Sequence, residues 1–107
     1  MPTPARPVPG EQARVQVELF NSSGAVGLSR IATRRLRDAG LDVVYFGTDS
    51  THADSTLILV RRGDSTSAVR VKKALGAGLV RTASDPARLV DITVRLGGDF
   101  AALVRKP

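Results

Sequence analysis

The sequence predicts a two-layer α/β sandwich, an α+β fold in which two helices pack on one face of a four- to five-stranded sheet. Two observations predict it. Apolar and polar residues alternate in the stretches expected to form strands, whereas apolar residues recur at helical spacing in two other stretches. The elements follow in the order strand, helix, strand, strand, helix, strand, strand. This order contains two β-α-β units related by a weak internal repeat, so the predicted outline is ferredoxin-like with a mixed or antiparallel sheet.

The domain organisation follows from length and composition. A chain of 107 residues holds about one domain with a single core. Residues 1–13 contain four of the 6 prolines and little apolar surface, which predicts a flexible arm or linker. We expect the globular domain over residues 14–100 and a basic C-terminal tail over residues 101–107.

The first β-α-β unit starts where Val15, Val17 and Leu19 alternate with polar residues, which predicts a strand with one wet face. In the helix that follows, the expected core side is apolar: Leu28, Ile31, Ala32, Leu36 and Ala39. The expected solvent side is polar: Arg30, Thr33, Arg34, Arg37 and Asp38. Gly40 is expected to end this helix, and LDVVYFGT after it predicts the second strand.

The second unit repeats this pattern. Residues 55–61 predict a third strand, and Asp64 or Ser65 is the expected N-cap of a second helix that Gly76 ends. A short fourth strand is predicted over residues 78–82, and a fifth strand over residues 90–97. After the last strand, Phe100 is expected to pack back over the sheet edge. The wet face of the sheet is expected to carry these side chains: Gln16, Glu18, Thr93 and Arg95.

The composition argues against several classes of function. A formal net charge of +6 at pH 7 favours an anionic partner, and the absence of cysteine removes thiolate chemistry and cysteine-based zinc sites. No apolar run approaches the roughly 18 residues of a membrane span, so membrane contact would need a segment not present in this chain. The single histidine, His52, lies near Asp49 and Asp54 in a polar loop, which falls short of a metal site. We predict no catalytic residue, no metal and no cofactor.

The turn after the first strand is one candidate site for a ligand. It consists of Asn21, Ser22, Ser23 and Gly24. Backbone N–H groups at a helix N-terminus can hold a phosphate or carboxylate. The alternative, which is the more common situation, is that Asn21 and Ser23 cap the helix and the glycines permit tight packing. A nucleotide fingerprint of the Gly-Lys-Ser/Thr type is missing.

A basic stripe on the first helix is the second candidate. Arg30, Arg34 and Arg37 are spaced i, i+4 and i+7, so they share one side of the helix. Their forked guanidinium groups suit phosphodiester or carboxylate groups. The alternative is an ordinary solvated helix face.

A specific nucleic-acid partner is not predicted, although the chain is basic. Sheets that bind RNA stack bases on aromatic residues of their central strands, and aromatic residues make up only 4% of this chain. We expect no aromatic side chain on the wet face of the first or last strand. Tyr45 and Phe46 are adjacent, so at most one of them points outward.

The stretch from VELFNSSGAVG to LDVVYFG is similar to the opening of the LytR C-terminal domain family. The match rests on these residues: Asn21, Gly24, Gly27, Leu28, Ala32, Leu36, Gly40 and Val43. STLILVRRGD, AVRVKKALG and DITVRLGGDF resemble the family's later strand, helix and closing strand, so the resemblance covers roughly residues 14–100. Two departures are Ser22-Ser23, where the family often has glycine or another small residue, and Arg61-Arg62, where many members have tyrosine or proline.

The resemblance implies a bacterial, extracytoplasmic domain of the cell envelope. The family commonly follows the catalytic domain of LytR-CpsA-Psr proteins, which transfer glycopolymers from lipid carriers to peptidoglycan, and it also occurs behind a membrane anchor. We therefore expect a non-catalytic binding or targeting module that contacts an anionic wall polymer or peptidoglycan through the basic stripe and the opening turn. The alternative is a protein-interaction or self-association module that uses the sheet edge or open sheet face.

Overall fold

The structure is a computed structural model that describes residues 14–105. Its sheet contains β1 (Gln16–Asn21), β2 (Asp42–Thr48), β3 (Leu57–Val60), β4 (Leu79–Thr82) and β5 (Ile92–Leu96). Its helices are α1 (Leu28–Asp38), α2 (Thr66–Leu75) and α3 (Gly98–Arg105), and a short 3-10 turn, Pro86–Arg88, precedes β5. The arm expected over residues 1–13 and the end of the expected tail, residues 106–107, lie outside the described residues.

The sheet has the strand order β2-β1-β5-β3-β4. β1 runs parallel to β2 and β5, whereas β3 is parallel to β4 and antiparallel to β5, so the sheet is mixed. This confirms the two-layer α/β sandwich. The ferredoxin-like outline is not confirmed. In a split β-α-β unit another strand separates the two parallel strands, whereas here the strands of each unit are direct neighbours and β5 lies between the units.

One face of the sheet packs against the helices and forms the core. The strand residues that are at most 2% exposed on this face are Val17, Leu19, Ile58, Val60, Ile92, Val94 and Leu96. The helices add Leu28, Ala32, Leu36, Ala68, Val71 and Leu75. At roughly 25 cal/mol per Å² of buried apolar area, this single cluster supplies the main stabilisation of the fold. The predicted apolar pattern of β1, β3 and β5 is therefore confirmed.

The core side of α1 is rotated from the prediction. Ile31 is 40% exposed, and Thr33 is only 5% exposed, so the expectation that Ile31 faces inward and Thr33 outward is wrong. The reason is the position of β2, because α1 turns the side that carries Thr33 toward this strand. Thr33 and Phe46 of β2 line the same cavity.

The end of α1 confirms the stop predicted at Gly40. Gly40 has a φ of 86°, and its N–H donates to the carbonyl of Arg37 at 3.0 Å. The N–H of Leu41 donates to the carbonyl of Leu36, also at 3.0 Å. These two bonds form a Schellman motif, which satisfies the last carbonyls of the helix. Leu41 then enters the core with no exposed surface.

Helix α3 is not among the predicted elements. It includes residues 101–105, for which the sequence predicts a basic tail. Phe100 is fully buried in the core, and Leu103 and Val104 pack against it. Asp99, in the first turn of α3, accepts hydrogen bonds from the backbone N–H of Thr56 at 3.0 Å and from its hydroxyl at 2.6 Å. The tail expectation therefore does not hold for residues 101–105, because their apolar side chains complete the core beside β5.

Candidate functional site

The opening turn between β1 and α1 is held by its own side chains. The side-chain Oδ1 of Asn21 accepts hydrogen bonds from the backbone N–H of Ser23 at 3.1 Å and from its hydroxyl at 2.6 Å. Its Nδ2 donates to the carbonyl of Ala25 at 2.8 Å. The Ser23 hydroxyl in turn accepts from the N–H of Ala25 at 3.0 Å. Asn21 is 6% exposed, so its side chain supports the turn from inside.

Ser22 ties this turn to the loop that follows β2. It is fully buried, and its N–H donates to the carbonyl of Leu96 at 2.9 Å. Its hydroxyl donates to Oδ2 of Asp49 at 3.2 Å, and its carbonyl accepts from the N–H of Ala53 at 2.8 Å. Of the predicted ligand residues in this turn, Asn21, Ser22 and Ser23 are thus engaged within the protein.

The expectation that Asn21 and Ser23 cap α1 is wrong in detail. The N-cap of α1 is Gly27, which has a φ of 88° and makes no side-chain cap hydrogen bond. The helix begins several residues after the polar side chains, so they stabilise the turn rather than the first helical N–H groups. Between this turn and the loop after β2 lies a cavity of about 390 Å³, lined by residues that include Gly24, Arg30, Phe46 and His52.

The predicted basic stripe lies on α1 along the β2 side of the domain. Arg30, Arg34 and Arg37 are all exposed and line one cavity of about 470 Å³ together with Thr33, Asp38 and Phe46. Arg37 also reaches β2, where its Nη2 donates to the carbonyl of Val43 at 3.0 Å. We call the surface formed by Arg30, Arg34, Arg37 and Phe46 the α1 groove. The structure places the three predicted arginines together.

Arg35 does not belong to this groove, although it is adjacent in sequence. Its Nη1 donates to the carbonyl of Leu75 at 3.1 Å, and its guanidinium lies 5.5 Å from the centroid of the Phe100 ring. It therefore joins α1 to α2 and α3. The arginines of α1 therefore have two roles: those on one side line the α1 groove, and Arg35 on the other side contacts the neighbouring helices.

Sequence reasoning missed Phe46 as part of this site. Phe46 is 46% exposed beside the arginines. The β1–β2 register shifts between Val17 and Glu18, because Val17 pairs with Val43 and Glu18 pairs with Tyr45. Val44 is the extra residue of this bulge, and a bulge changes which side chains reach each face. The sequence signal for Phe46 was an aromatic residue in the predicted second strand.

The open face of the sheet carries an ion pair between the buried Glu18 and the exposed Arg88. Glu18 is 8% exposed, and its carboxylate accepts hydrogen bonds from Nε of Arg88 and, at 2.6 Å, from the hydroxyl of Thr93. Nε of Arg61 donates to the same hydroxyl oxygen at 2.9 Å. Burial opposes ionisation of Glu18, but the bonds from Arg88 and Thr93 outweigh it and lower the pKa of this carboxyl. Glu18 is therefore ionised at neutral pH.

The expectation that no aromatic residue lies on the wet face of the first strand is wrong. Phe20 is on this face because it follows Glu18 by two residues in β1, and its ring centroid lies 5.6 Å from that of Tyr45 in β2. The guanidinium of Arg88 lies 6.0 Å from the Phe20 ring centroid. The period of two in β1 was sufficient to find Phe20. By contrast, Arg88 lies in an irregular segment whose position the sequence pattern does not define.

The loop after β2 carries the only histidine of the chain. His52 is exposed, and its ring lies beside Gly24. Hydrogen bonds from Thr51 and, to a smaller extent, from Ser22 lower the pKa of Asp49. Within residues 14–105, no group of three or more histidine, aspartate or glutamate side chains is arranged to hold a metal ion.

Comparison with protein families identifies the class of protein. The model of the family described as LytR cell envelope-related transcriptional attenuator matches residues 14–100, most of the chain. The chain therefore belongs to the LytR C-terminal domain family and is a cell-envelope-associated domain. This family is a C-terminal, non-catalytic domain family. No curated protein and no solved structure matches the chain. Among the described residues, no helix combines the length and the apolar character needed to cross a membrane.

Proposed function

We propose that this domain is a non-catalytic binding or targeting module of the bacterial cell envelope, and that the α1 groove contacts an anionic wall glycan or peptidoglycan outside the cytoplasm. One observation carries the proposal. Three exposed guanidinium groups and a half-exposed aromatic ring line a single cavity on one side of α1. The family's association with the cell envelope supplies the context.

The dimensions of the groove favour a polymer over a single small ion. From Arg30 to Arg37 the helix advances about 10 Å, at about 1.5 Å per residue. Arg30 and Phe46 also line the cavity at the opening turn, so the groove continues toward Gly24. Guanidinium groups bind phosphate or carboxylate groups with paired N–H donors. The exposed face of Phe46 offers an apolar surface for the C–H face of a sugar ring.

Arg37 uses only some of its N–H donors within the domain, so the others are available to a ligand. A guanidinium has five N–H donors, and the bond to Val43 uses Nη2. This bond fixes the guanidinium at the end of the groove, which lowers the side-chain entropy that binding would remove. The predicted ligand residues Asn21, Ser22 and Ser23 then contribute by shaping the turn, and Gly24 by exposing backbone beside Arg30.

Co-sedimentation with bacterial sacculi tests the proposal. Sacculi are used intact or stripped of their anionic polymer, at about 0.02 M and about 0.3 M salt, because the screening length passes below about 10 Å between these conditions. We expect pelleting only with intact sacculi and release by salt. The triple variant R30Q/R34Q/R37Q is expected to lower the pelleted fraction about fivefold at low salt.

The matched control removes the same charge from α2. Arg70, Lys72 and Lys73 are exposed on that helix, so R70Q/K72Q/K73Q has the same net charge as the α1 variant and should pellet like wild type. Equal loss in both variants would show that net charge alone governs binding. F46A is expected to weaken pelleting without changing its salt dependence, since it removes no charge.

A second candidate function is self-association through the β2 edge of the sheet. Val44, Tyr45 and Phe46 are 49%, 53% and 46% exposed, which is unusual for consecutive residues of an edge strand. The bond from Arg37 to Val43 covers part of this edge and limits strand addition. Sedimentation equilibrium separates the two functions: a dimer that persists at about 0.3 M salt and is lost in V44K favours self-association.

A further inference from the structure

The open face of the sheet contains a cavity that is separate from the α1 groove. It has a volume of about 250 Å³, and three of its lining residues are arginines: Arg61, Arg88 and Arg95. Phe20 and Thr93 also line it. We propose that this arginine pocket binds one oxyanion, a carboxylate or phosphate group of a small ligand or of the end of a larger one. The proposal does not depend on the function of the α1 groove, which lies on the opposite face of the sheet.

The strand register explains why the arginines meet. Phe20 of β1 pairs with Arg95 of β5, and Glu18 pairs with Thr93, so these four side chains lie in two adjacent rows on the open face. Arg61 directly follows β3 and reaches back to the hydroxyl of Thr93. Arg88 arrives from the 3-10 turn before β5 and lies over Phe20. Four separate segments thus converge on one cavity.

Two of the three guanidinium groups are already fixed in place. Arg61 donates from Nε to Thr93 and from Nη1 to the carbonyl of Ala83 at 3.0 Å. Arg88 donates from Nε to Glu18. Each guanidinium has five N–H donors, so terminal N–H groups of both arginines remain for a ligand. A preorganised donor loses less side-chain entropy on binding than a mobile one.

The contacts of Glu18 indicate that donors at this position bind a carboxylate. Its carboxylate already binds Arg88 and Thr93 from inside the protein. The nearby charge of Arg61 contributes to the lowered pKa of Glu18. A second carboxylate lines the rim of the cavity, since Asp49 is also among its lining residues. Asp49 is engaged by Ser22 and Thr51.

The charge balance leaves a place for one further anion. Three arginines line the cavity with a single carboxylate, Asp49, while Glu18 and Asp85 act on Arg88 from beside it. The lining itself therefore has an excess of positive charge, which one bound oxyanion would reduce. The volume of the cavity also agrees with the binding of one anion. Pockets for drug-sized ligands measure about 300–1,000 Å³, and a cavity of about 250 Å³ accepts a single small group. Arg88 and Arg95 are both exposed, so a ligand reaches them from solvent.

Titration followed by nitrogen-proton NMR of the full chain tests the pocket. One arm uses inorganic phosphate and the other uses N-acetylglycine, each against potassium chloride of the same ionic strength. We expect saturable shifts at Phe20, Thr93 and Arg95, with a dissociation constant on the order of 1 mM for a small exposed site. The arm with the lower dissociation constant identifies the preferred group. Shifts that do not saturate in either arm, or that match those in chloride, would overturn the proposal.

Two variants on the same sheet face make the test specific. R95Q removes an exposed guanidinium of the pocket and is expected to raise the dissociation constant about fivefold. R81Q removes an equal charge from β4, outside the pocket, and is expected to leave the constant within about twofold. The α1 variant R30Q/R34Q/R37Q should also bind like wild type here. An equal effect of R95Q and R81Q would overturn the pocket, whereas loss of sacculus binding alone would not.

Discussion

The two β-α-β units share a topology but differ in how their first turns are built. In the first unit, the turn after β1 is anchored to the sheet by Asn21 and Ser22, which are 6% and 0% exposed. In the second unit, the turn after β3 is exposed from Arg62 to Thr66. At its start, Arg62 donates from its N–H to the carbonyl of Asp91 at 3.3 Å and pairs with the Asp91 carboxylate. Further along the turn the bond is local, because Oδ1 of Asp64 accepts from the N–H of Thr66 at 3.0 Å. The corresponding turns of the two units therefore contribute differently to the stability of the domain.

The difference between the two turns also affects the surface of each unit. The first turn fixes the loop after β2, so it determines the shape of the cavity between Gly24 and His52. The α1 groove continues from that cavity. The second turn has no such role, and it can vary without disturbing the core. We therefore expect substitutions in the first unit to affect both stability and binding.

The largest expected effect distinguishes the two turns directly. N21A removes an acceptor of two hydrogen bonds and a donor of one, and it leaves partly buried polar groups of Ser23 and Ala25 without partners. We expect the free energy of unfolding to fall by about 2–4 kcal/mol. D64A, in the exposed turn, should cost at most about 1 kcal/mol. Urea unfolding followed by circular dichroism measures both, and similar losses would remove the distinction between the units.

The open-face ion pair gives the next largest effect, because only the first unit places a carboxylate in this position. Leu57 and Leu59 are the corresponding open-face residues of β3. Folding lowers the pKa of Glu18 from its ordinary value of 4.5, so the unfolded chain binds its proton first as the pH falls. The stability that Glu18 contributes is complete above about pH 4.5 and is lost as the pH falls through the folded-state pKa.

The variant E18Q isolates this contribution. It should reduce the free energy of unfolding by about 1–2 kcal/mol at pH 7, since it replaces charge-assisted hydrogen bonds with neutral ones. The difference from wild type should shrink toward pH 3. Urea unfolding at several pH values checks the sign. A constant difference across the range would mean that ionisation of Glu18 does not stabilise the fold.

A smaller effect compares two glycines with positive φ, one in each turn. Gly24 has a φ of 83°, and an added Cβ would lie 3.0 Å from Nε2 of His52. Gly63 has a φ of 76° in open space. Both alanine variants carry backbone strain of about 1 kcal/mol. The loss of stability in G24A should therefore exceed the loss in G63A only by the cost of moving the histidine ring. The excess should disappear in the double variant G24A/H52A, measured as a cycle of thermal unfolding experiments.

The smallest expected effect is a gain in stability. Thr33 Oγ1 is buried with no hydrogen-bond partner among residues 14–105. In α2 the buried side chains are all apolar. T33V keeps the shape and removes the unpaired hydroxyl, so we expect α1 to gain up to about 1 kcal/mol. A loss of stability in urea unfolding would indicate that the hydroxyl is satisfied by water.

Much of this fold follows from periodicity in the sequence. The alternation in β1 and β5, the helical spacing in α1 and the stop at Gly40 each act within one element, so they predict it directly. α3 could not be predicted in this way. A helix of 8 residues is marginal in water by itself, and here it is stabilised by burial of Phe100 in a core formed by distant segments.

The residues of the candidate sites also differ in whether the sequence alone predicts that they lie together. The spacing of Arg30, Arg34 and Arg37 places them on one helix side from sequence alone. Phe46 joins them only because of the bulge at Val44, and no local pattern marks that bulge. The arginine pocket combines side chains from four segments, and Arg88 comes from an irregular one. Sites that depend on register and long side chains therefore need the three-dimensional structure.

The central position of β5 has a consequence for synthesis of the chain. β5 is the last of the five strands in residues 14–105 to be made, yet it pairs with β1 on one side and β3 on the other. Until the ribosome has released it, the two β-α-β units have no strand pairing between them, and each exposes an unpaired edge. The joined sheet thus forms only after the other four strands have been made. The nascent chain must remain free of aggregation throughout that interval.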